Sequence, residues 1–323
     1  MTLKSRAFLI FGGILVFAIL GPAAILLARG YSFDLATGRI VRTGVLVVKT
    51  EPRGAKVSLN GTALKPLTPL TKRFLRPGEY RVEIQKDGFR PWQKRVVVSE
   101  ERVTALPAGE LGKISLFLSS EAPQIVATTT LDVLDQSLFA EPESSQNPEY
   151  LLDPQSGKLL RKNPGSKQPD AVLEGLPKFS KSQIIATPAN ELFLLLDDDL
   201  YHVMETLEKI SSEVAYARTN PDLPGLIYGN SHEVWLYLSE EQTSELVTRS
   251  SLSLGRAQFN NKTGYVFVAE EKQIKAIEFD RSGQPNIYVL AETQNPLPKF
   301  AVNAEGTELL YLDGQSLYRL KIR

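Results

Sequence analysis

Three consecutive carboxylates, Asp197, Asp198 and Asp199, are the residues that first suggest metal chemistry. A hard cation such as Ca²⁺ takes about 6–8 oxygen ligands. Adjacent residues do not all face one ion, and the calcium-loop spacing D-x-[DN]-x-[DN]-G is absent from the sequence. Asp is also a favoured turn residue, and the triplet lies between two apolar runs. We therefore expect a hairpin turn at this position and no metal site.

The chain has two histidines, His202 and His232, and no cysteine. Zinc and non-haem iron sites usually draw on several His or Cys ligands, and a chain without cysteine also lacks thiol nucleophiles. The sequence contains no G-x-S-x-G motif, no phosphate-binding P-loop and no dinucleotide-binding glycine motif. We expect both histidines to be ordinary surface or half-buried residues, and we expect no catalytic residue and no cofactor.

Aromatic residues recur at strand spacing in the second half of the chain. They would suit a sugar-binding platform, but the same spacing favours core packing: Trp235, Tyr237, Tyr265, Phe267, Tyr311 and Tyr318. Trp92 is likewise predicted to lie in a core or at its rim. The Asn-x-Thr sequences at Asn60 and Asn261 match the glycosylation pattern, yet both are typical of turns.

The charges balance, with 37 Lys plus Arg against 37 Asp plus Glu. Domains that bind nucleic acid usually carry a basic surplus, because they neutralise phosphates, so we expect no nucleic-acid partner. Apolar residues make up 42% of the 323 residues and charged residues 23%, which is ordinary for a globular chain of two or three domains.

An uninterrupted apolar run spans residues 7–28 and follows the basic residues Lys4 and Arg6. A helix of this length covers about 33 Å, close to the hydrocarbon thickness of a bilayer. No clean cleavage site follows the run, so we favour a retained transmembrane signal anchor at residues 7–29 over a cleaved signal peptide or a buried soluble helix. The short tail, residues 1–6, is expected to stay in the cytoplasm, and residues 30–323 to lie outside it.

Beyond a juxtamembrane connector at residues 30–43, the periodicity becomes that of strands. Short alternating runs occur at residues 44–50, 56–60, 79–84, 95–98 and 114–118. Asn60-Gly61 is a favoured pair for a two-residue hairpin turn, and Pro77-Gly78 and Asp87-Gly88 mark further turns. This pattern predicts a small antiparallel β-sandwich over residues 44–118.

The same stretch resembles a PEGA domain. The resemblance is carried by Pro52, Gly54-Ala55, Val57, Leu59, Asn60-Gly61, Thr68-Pro69, Pro77-Gly78-Glu79-Tyr80 and Gly88-Phe89. The second position of the P-x-G-A segment is Arg53, which departs from the family's name. The resemblance implies a small β-sandwich typical of envelope proteins, without catalytic residues.

After a polar break at residues 119–124, one pattern recurs about every 40 residues, as in propeller blades. It consists of an apolar run, a polar turn and an aromatic run, and starts at Tyr150, Leu192, Leu226, Tyr265 and Leu309. We predict a β-propeller of about five blades over residues 125–323, with an added outer strand near residues 125–130. Two packed sheets without radial closure are the alternative. The turns from Phe through Asn to Gly, at residues 259–264 and 300–308, are similar to those of TolB-like propellers.

The predicted chain is therefore all-β apart from its N-terminal helix. We expect a non-enzymatic, single-pass cell-envelope protein anchored in the lipid bilayer through residues 7–28. Its sandwich would be a spacer, and its propeller would bind a protein or a cell-wall glycan. One alternative is a propeller-type glycan hydrolase, which needs two carboxylates about 5–9.5 Å apart. A scaffold within an envelope assembly is the other.

Overall fold

The computed structural model describes residues 3–28, 30–34, 38–107, 113–119, 121–128, 149–162, 165, 168–187, 190–220, 223–280 and 283–323. The chain divides into two compact units, and each is described here by itself. The first unit comprises Met1–Leu116 with Asp280–Gln284, and the second comprises Phe117–Phe279 with Pro285–Arg323. Apart from one helix, both units are built from small β-sheets.

Helix α1, Leu3–Ala28, opens the first unit and contains Pro22. Several of its large apolar side chains are more than half exposed, among them Phe11, Ile14 and Phe17. In the part of the chain that the structure describes, no helix combines the length and the apolar character needed to cross a membrane. The structure therefore does not support the transmembrane assignment of residues 7–29.

The other elements of the first unit are short strands. Within the described residues they are β1 (Tyr31–Asp34), β2 (Arg39–Arg42), β3 (Gly44–Val48), β4 (Thr50–Glu51), β5 (Lys56–Leu59), β6 (Thr62–Ala63), β7 (Leu70–Leu75), β8 (Gly78–Gln85), β9 (Trp92–Val98), β10 (Val103–Leu106) and β11 (Ile114–Ser115). Strands β1 and β2 form a hairpin, and β4 pairs with β11. The two larger sheets have the orders β10–β3–β7 and β6–β5–β8–β9.

Alternating apolar residues give these two sheets a shared core. In β9 every second residue is buried, beginning with Trp92, which has no exposed surface. Leu46 and Val48 of β3 belong to the same cluster as Val57 of β5 and Ile84 of β8. The side-chain period of two places one face of each strand in this cluster, which confirms the predicted core position of Trp92.

The Asn60-Gly61 hairpin forms as its sequence predicts. Both residues have positive φ, 49° and 78°, and Leu59 pairs with Thr62 across the turn. Asn and Gly tolerate this backbone region, so the turn fixes the register of the sheet. The Oδ1 atom of Asn60 also accepts a hydrogen bond from the backbone amide of Arg81, at 2.8 Å.

The prediction of a purely antiparallel sandwich is wrong for two strand pairs. Strand β10 runs parallel to β3, and β11 runs parallel to β4. Each of these pairs joins strands separated by the whole β5–β9 sheet, so the chain crosses over before it returns. The alternation within each strand carries no information about this long-range pairing.

A buried ion pair also belongs to the first unit. The Nζ atom of Lys94 lies 2.7 Å from Oδ2 of Asp280, and each side chain is 1% exposed. Lys94 occupies a buried position in β9 next to Trp92, whose ring centre is 5.9 Å from the ammonium. A buried lysine needs such a partner, because an unpaired charge in the protein interior is costly.

The second unit contains five sheets, formed among the described residues by strands β12 to β30. Their bounds are β12 (Gln124–Thr128), β13 (Tyr150–Asp153), β14 (Lys158–Arg161), β15 (Asp170–Glu174), β16 (Ser182–Ala186), β17 (Leu192–Leu196), β18 (Asp199–Val203), β19 (Leu207–Ser211), β20 (Tyr216–Asn220), β21 (Leu223–Gly229), β22 (Glu233–Leu238), β23 (Thr243–Arg249), β24 (Leu254–Asn260), β25 (Tyr265–Glu270), β26 (Gln273–Glu278), β27 (Ile287–Glu292), β28 (Phe300–Val302), β29 (Glu308–Asp313) and β30 (Ser316–Lys321).

Four of these sheets are antiparallel meanders in chain order: β13–β15, β16–β19, β20–β23 and β24–β27. The fifth has the order β12–β30–β29–β28, so it combines the first described strand of the unit with the last three. Strand β12 thus lies where the added outer strand was expected. The five predicted hairpins are also confirmed, as β13–β14, β17–β18, β21–β22, β25–β26 and β29–β30.

Each sheet packs on the next one along the chain. One core cluster joins β13–β15 to β16–β19, and a second joins β16–β19 to β20–β23. Two more connect β20–β23 to β24–β27, and β24–β27 to the sheet that contains β28–β30. Five small sheets packed in succession are propeller-like, and this arrangement differs from the alternative of two packed sheets.

Candidate functional site

The first strands of four sheets in the second unit lie side by side. We call β16, β20, β24 and β28 the first strands, because each directly precedes the central hairpin of its sheet. Strand β20 neighbours β16 on one side and β24 on the other, and β24 neighbours β28. Successive sheets therefore bring their first strands to a common surface, which is where propellers are lined.

Side chains connect these strands directly. The Gln258 amide donates a hydrogen bond to the Val302 carbonyl and accepts one from the Val302 amide, both at 2.9 Å. It therefore satisfies the backbone of a neighbouring sheet, as a paired strand would. The Tyr216 hydroxyl accepts a hydrogen bond from the Ala257 amide at 3.2 Å, and burial raises the pKa of this phenol well above its ordinary value. Both contacts hold successive sheets in register.

Two guanidinium groups lie near this surface. The first strands contain no Asp or Glu, and their only charged residues are Arg218 in β20 and Arg256 in β24. The charges of both arginines act on the Tyr216 phenol and oppose the effect of its burial on the pKa. Arg256 is exposed and Arg218 is half-buried. We call these two residues the arginine pair.

The arginine pair was not identified from the sequence. The repeat was recognised by its central hairpins, whereas the pair belongs to the strands that precede them. The available signal was the matching position of Arg218 and Arg256 near the start of two successive repeats. Guanidinium groups bind carboxylate and phosphate groups through paired hydrogen bonds, so this arrangement suits an anionic ligand group.

Asp197 and Asp198 form the predicted hairpin turn between β17 and β18. Asp197 has φ of 53°, and its Oδ1 atom accepts hydrogen bonds from the amides of Ser180 and Lys181 at 3.0 and 2.9 Å. Asp199 pairs instead with Nζ of Lys209, at 2.8 Å. Among the residues described, no group of three or more His, Cys, Asp or Glu side chains has the geometry to hold a metal ion.

The carboxylate after the second strand has the same role in another sheet. Asp313, at the end of β29, accepts hydrogen bonds from the amides of Gln294 and Asn295 at 2.8 and 3.0 Å. Burial raises the pKa of Asp313, but these hydrogen bonds outweigh it, and the net pKa is lowered. Asp197 and Asp313 therefore tie the segment before the first strand to the hairpin. The equivalent geometry in two repeats indicates a structural role.

His202 is buried, at 4% exposure, so the expectation of a surface or half-buried residue is wrong. In β18 it alternates with half-buried positions and faces the same side as Leu200. Its ring stacks on Phe193 at 4.5 Å, and Nδ1 lies 3.2 Å from the Tyr237 hydroxyl. Burial lowers the pKa of His202, while the charges of Glu191 and Glu208 raise it less. A neutral imidazole packed in this way is a core residue.

His232 is exposed in the turn between β21 and β22, as expected. The Oδ1 atom of Asn230 accepts hydrogen bonds from the amides of His232 and Glu233, both at 2.9 Å. The asparagine side chain thus forms the turn through local backbone contacts. Asn60 and Asn261 also lie in turns.

The aromatic residues are core residues, as their spacing predicted. Tyr237, Tyr265, Phe267 and Tyr311 are at most 4% exposed. Trp235 and Tyr318 are half-buried and pack against the same clusters between sheets. These faces are covered by neighbouring sheets, so they provide no sugar-binding platform.

Substitution of Asp197 is expected to lower stability without affecting a ligand. Asp197→Ala removes a charged acceptor of two amide hydrogen bonds, so the free energy of unfolding should fall by about 2 kcal/mol. Asp197→Asn keeps one acceptor and should lose less. Asp198→Ala is the matched control and should change stability by less than about 0.5 kcal/mol. Urea unfolding provides the measurement, and stabilisation by added Ca²⁺ would contradict this structural role.

Acidification is expected to destabilise the second unit through His202. Its lowered pKa means that the unfolded chain takes up the proton first, at about pH 6.5. The contribution of neutral His202 to the free energy of unfolding is therefore complete above that pH. It falls as the pH drops from there towards the lowered pKa that His202 has in the folded chain. His202→Gln retains a hydrogen-bonding side chain but does not titrate, so its loss of stability between pH 7.5 and 5 should be smaller. If the free energies of unfolding of the parent protein and of His202→Gln fell by the same amount over this pH range, His202 would make no such contribution.

Comparison with known proteins finds one family match within the first unit. Residues 43–108 match the PEGA domain family, which confirms that resemblance for this part of the chain. No curated protein sequence matches the chain.

Solved structures of β-propeller type show limited similarity. The C-terminal WD40 domain of Sif2 has a TM-score of 0.39 and 13% identity over 52% of this chain, which spans about half (53%) of that domain. A Lactobacillus plantarum protein has a TM-score of 0.34 and 9% identity, over 81% of this chain and 89% of its own. A gluconolactonase from Xanthomonas campestris has a TM-score of 0.34 and 11% identity, over 54% of this chain and 68% of its own. Likeness at this level carries no argument about activity.

Proposed function

We propose that this protein is a non-enzymatic cell-envelope protein whose second unit binds a partner through the arginine pair. The PEGA-like sandwich, residues 44–118, would serve as a spacer, and the propeller-like domain, residues 125–323, would engage a protein or a cell-wall glycan. One observation carries the proposal. The described strands β16, β20, β24 and β28, which lie side by side, carry two arginines and no Asp or Glu.

This charge pattern favours binding over hydrolysis. A glycosidase of the usual type needs an acid and a second carboxylate across the scissile bond. The strands β16, β20, β24 and β28 supply neither. The neighbouring turn carboxylates Asp197 and Asp313 are occupied by backbone amides. An arginine surface instead recognises the carboxylates or phosphates of an acidic protein or an anionic glycan.

We further propose that residues 7–28 attach the protein to a lipid bilayer, with residues 30–323 outside the cytoplasm. The support is the apolar sequence of this run together with the exposure of Phe11 and Phe17 along helix α1. Exposed apolar surface of this kind requires an apolar partner.

Neutralising the arginine pair is expected to weaken binding to anionic partners. With polyglutamate and purified cell-wall sacculi as separate probes, the double variant Arg218→Gln/Arg256→Gln should bind the true partner class at least about tenfold more weakly, which corresponds to one lost charged contact of about 1.4 kcal/mol. Arg319→Gln, an exposed arginine in β30, is the matched control.

The two probes distinguish a protein-like from a glycan partner. If the double variant and the Arg319→Gln control lost the same amount of binding affinity, the attraction would be non-specific, and the arginine-pair proposal would be overturned. Release of soluble sugar from the sacculi would support the hydrolase alternative. A complex of envelope proteins that persists in the double variant would favour the scaffold alternative.

The proposed location makes a separate prediction. Protease added to intact cells should digest residues 30–323, and the protein should remain in the membrane fraction after alkaline carbonate extraction. A cytoplasmic marker protein provides the control for cell integrity. Complete protection from the protease would contradict the orientation, and release by carbonate would contradict stable membrane attachment.

A further inference from the structure

The first unit contains a groove on the outward face of its β10–β3–β7 sheet. Its volume is about 810 Å³, and Val45 of β3 forms part of its floor. Val45 alternates with Leu46, which is buried in the sandwich core, so the groove lies on the opposite face of the sheet. We call it the arginine groove, defined by Arg42, Arg73, Arg102, Val45, Phe74 and Val103.

Phe74 is held in this groove by an unusual backbone. Its φ is 58°, in the left-handed region that a large non-glycine residue rarely adopts. The register between β3 and β7 shifts at this point, between the positions opposite Gly44 and Leu46. A β-bulge of this kind redirects a side chain, and here it leaves a phenylalanine 48% exposed. The positive φ and the exposure together make Phe74 a candidate contact residue of the groove.

The charge of the groove is positive. Three arginines line it against one acid, Glu101, which pairs with Arg42 at 3.3 Å. Within the described part of the chain, the guanidinium groups of Arg73 and Arg102 have no ion-pair or hydrogen-bonding partner. Both residues are exposed. The groove therefore offers two uncompensated cations beside exposed apolar surface, and this combination suits an anionic amphiphile.

The groove begins where the apolar helix ends. Gly30 and Tyr31 line it, and helix α1 ends at Ala28. The backbone amide of Thr43 donates a hydrogen bond to the Gly30 carbonyl at 3.1 Å, which ties the base of the β1–β2 hairpin together. The Arg42 guanidinium lies over the Tyr31 ring, 5.6 Å from its centre. The groove is thus fixed to the chain segment that leaves the helix.

The hairpin extends the same surface with apolar residues. Phe33 pairs with Ile40 across the two strands, and the two side chains are 59% and 53% exposed. Tyr31 and Phe33 are two residues apart in β1, so they share one face of the hairpin. Aromatic and basic residues together are typical of surfaces in the headgroup layer of a membrane.

We infer that the arginine groove and the β1–β2 hairpin bind the headgroups of anionic phospholipids, with Phe33, Ile40 and Phe74 inserted at the level of the upper acyl chains. This inference rests on the proposed membrane attachment and extends it to a second contact. The attached unit would then be held in a fixed orientation on the bilayer. Arg73 and Arg102 would contact lipid phosphates, as juxtamembrane basic residues do.

The absence of cysteine makes a direct test possible. The full-length chain with Phe74→Cys, labelled with an environment-sensitive fluorophore, is reconstituted into phosphatidylcholine vesicles with or without phosphatidylglycerol. We expect a blue shift and protection from an aqueous quencher only with the anionic lipid. Val103→Cys is a second reporter that leaves the bulge intact. Thr62→Cys, on the exposed β6 strand of the other sheet, should remain water-exposed in both vesicles.

Charge variants test the headgroup contact. Each arginine near an anionic surface contributes about fivefold in affinity, so Arg73→Gln/Arg102→Gln should raise the anionic-lipid fraction needed for half of the fluorescence change severalfold. Arg95→Gln, an exposed arginine on β9 of the other sheet, should behave like the parent protein. Raising the salt concentration to 1 M, where the screening length is about 3 Å, should also suppress the change.

The possible failures are distinguishable. A chain that does not float with either vesicle type would contradict membrane attachment, and this inference with it. A chain that floats while both reporters stay water-exposed would contradict only the groove. A fluorescence change produced by inorganic phosphate, or by polyglutamate without anionic lipid, would assign the groove to a free anion or an acidic peptide and would overturn the lipid assignment.

Discussion

The second unit depends on the packing of each small sheet against the next. A sheet of three or four strands cannot bury its own faces, so stability comes from the clusters between successive sheets. These clusters take up the aromatic residues Tyr237, Tyr265 and Tyr311, which would otherwise be candidates for ligand contacts. Residues available for ligand contacts therefore lie at the edges of the sheets and on the strands that line their common surface. The arginine pair lies on two such strands.

Local signals in the sequence were sufficient for much of this architecture. The five hairpins follow from apolar runs interrupted by turn residues, and the Asn60-Gly61 turn follows from the positive φ that both residues tolerate. Asp197 was correctly assigned to a turn because its neighbours in sequence set that geometry. The PEGA resemblance is of the same kind, since its prolines and glycines describe the backbone. Each of these predictions depends on contacts between residues that are close in the chain.

Apart from the arginine pair, the features that sequence reasoning missed depend on distant contacts. Lys94 is buried only because Asp280, 186 residues away, supplies its counter-charge. His202 is buried because β22 of the following sheet brings Tyr237 to its ring. The parallel pairing of β10 with β3, and the bulge that exposes Phe74, are set by strand order and register. Periodicity within a strand identifies its two faces but not the element that covers either of them.

The balanced composition and the two arginine sites are compatible because screening makes charge a local property. At physiological salt the screening length is about 8 Å, so acidic residues elsewhere on the chain do not neutralise the local charge of an arginine cluster, even though the net charge is zero. The zero net charge does remove the long-range electric field that would attract charged partners from solution. The arginines therefore act on partners at short range and add little long-range steering. With the proposed location, a bilayer that holds the chain and an envelope component beside it would meet that condition.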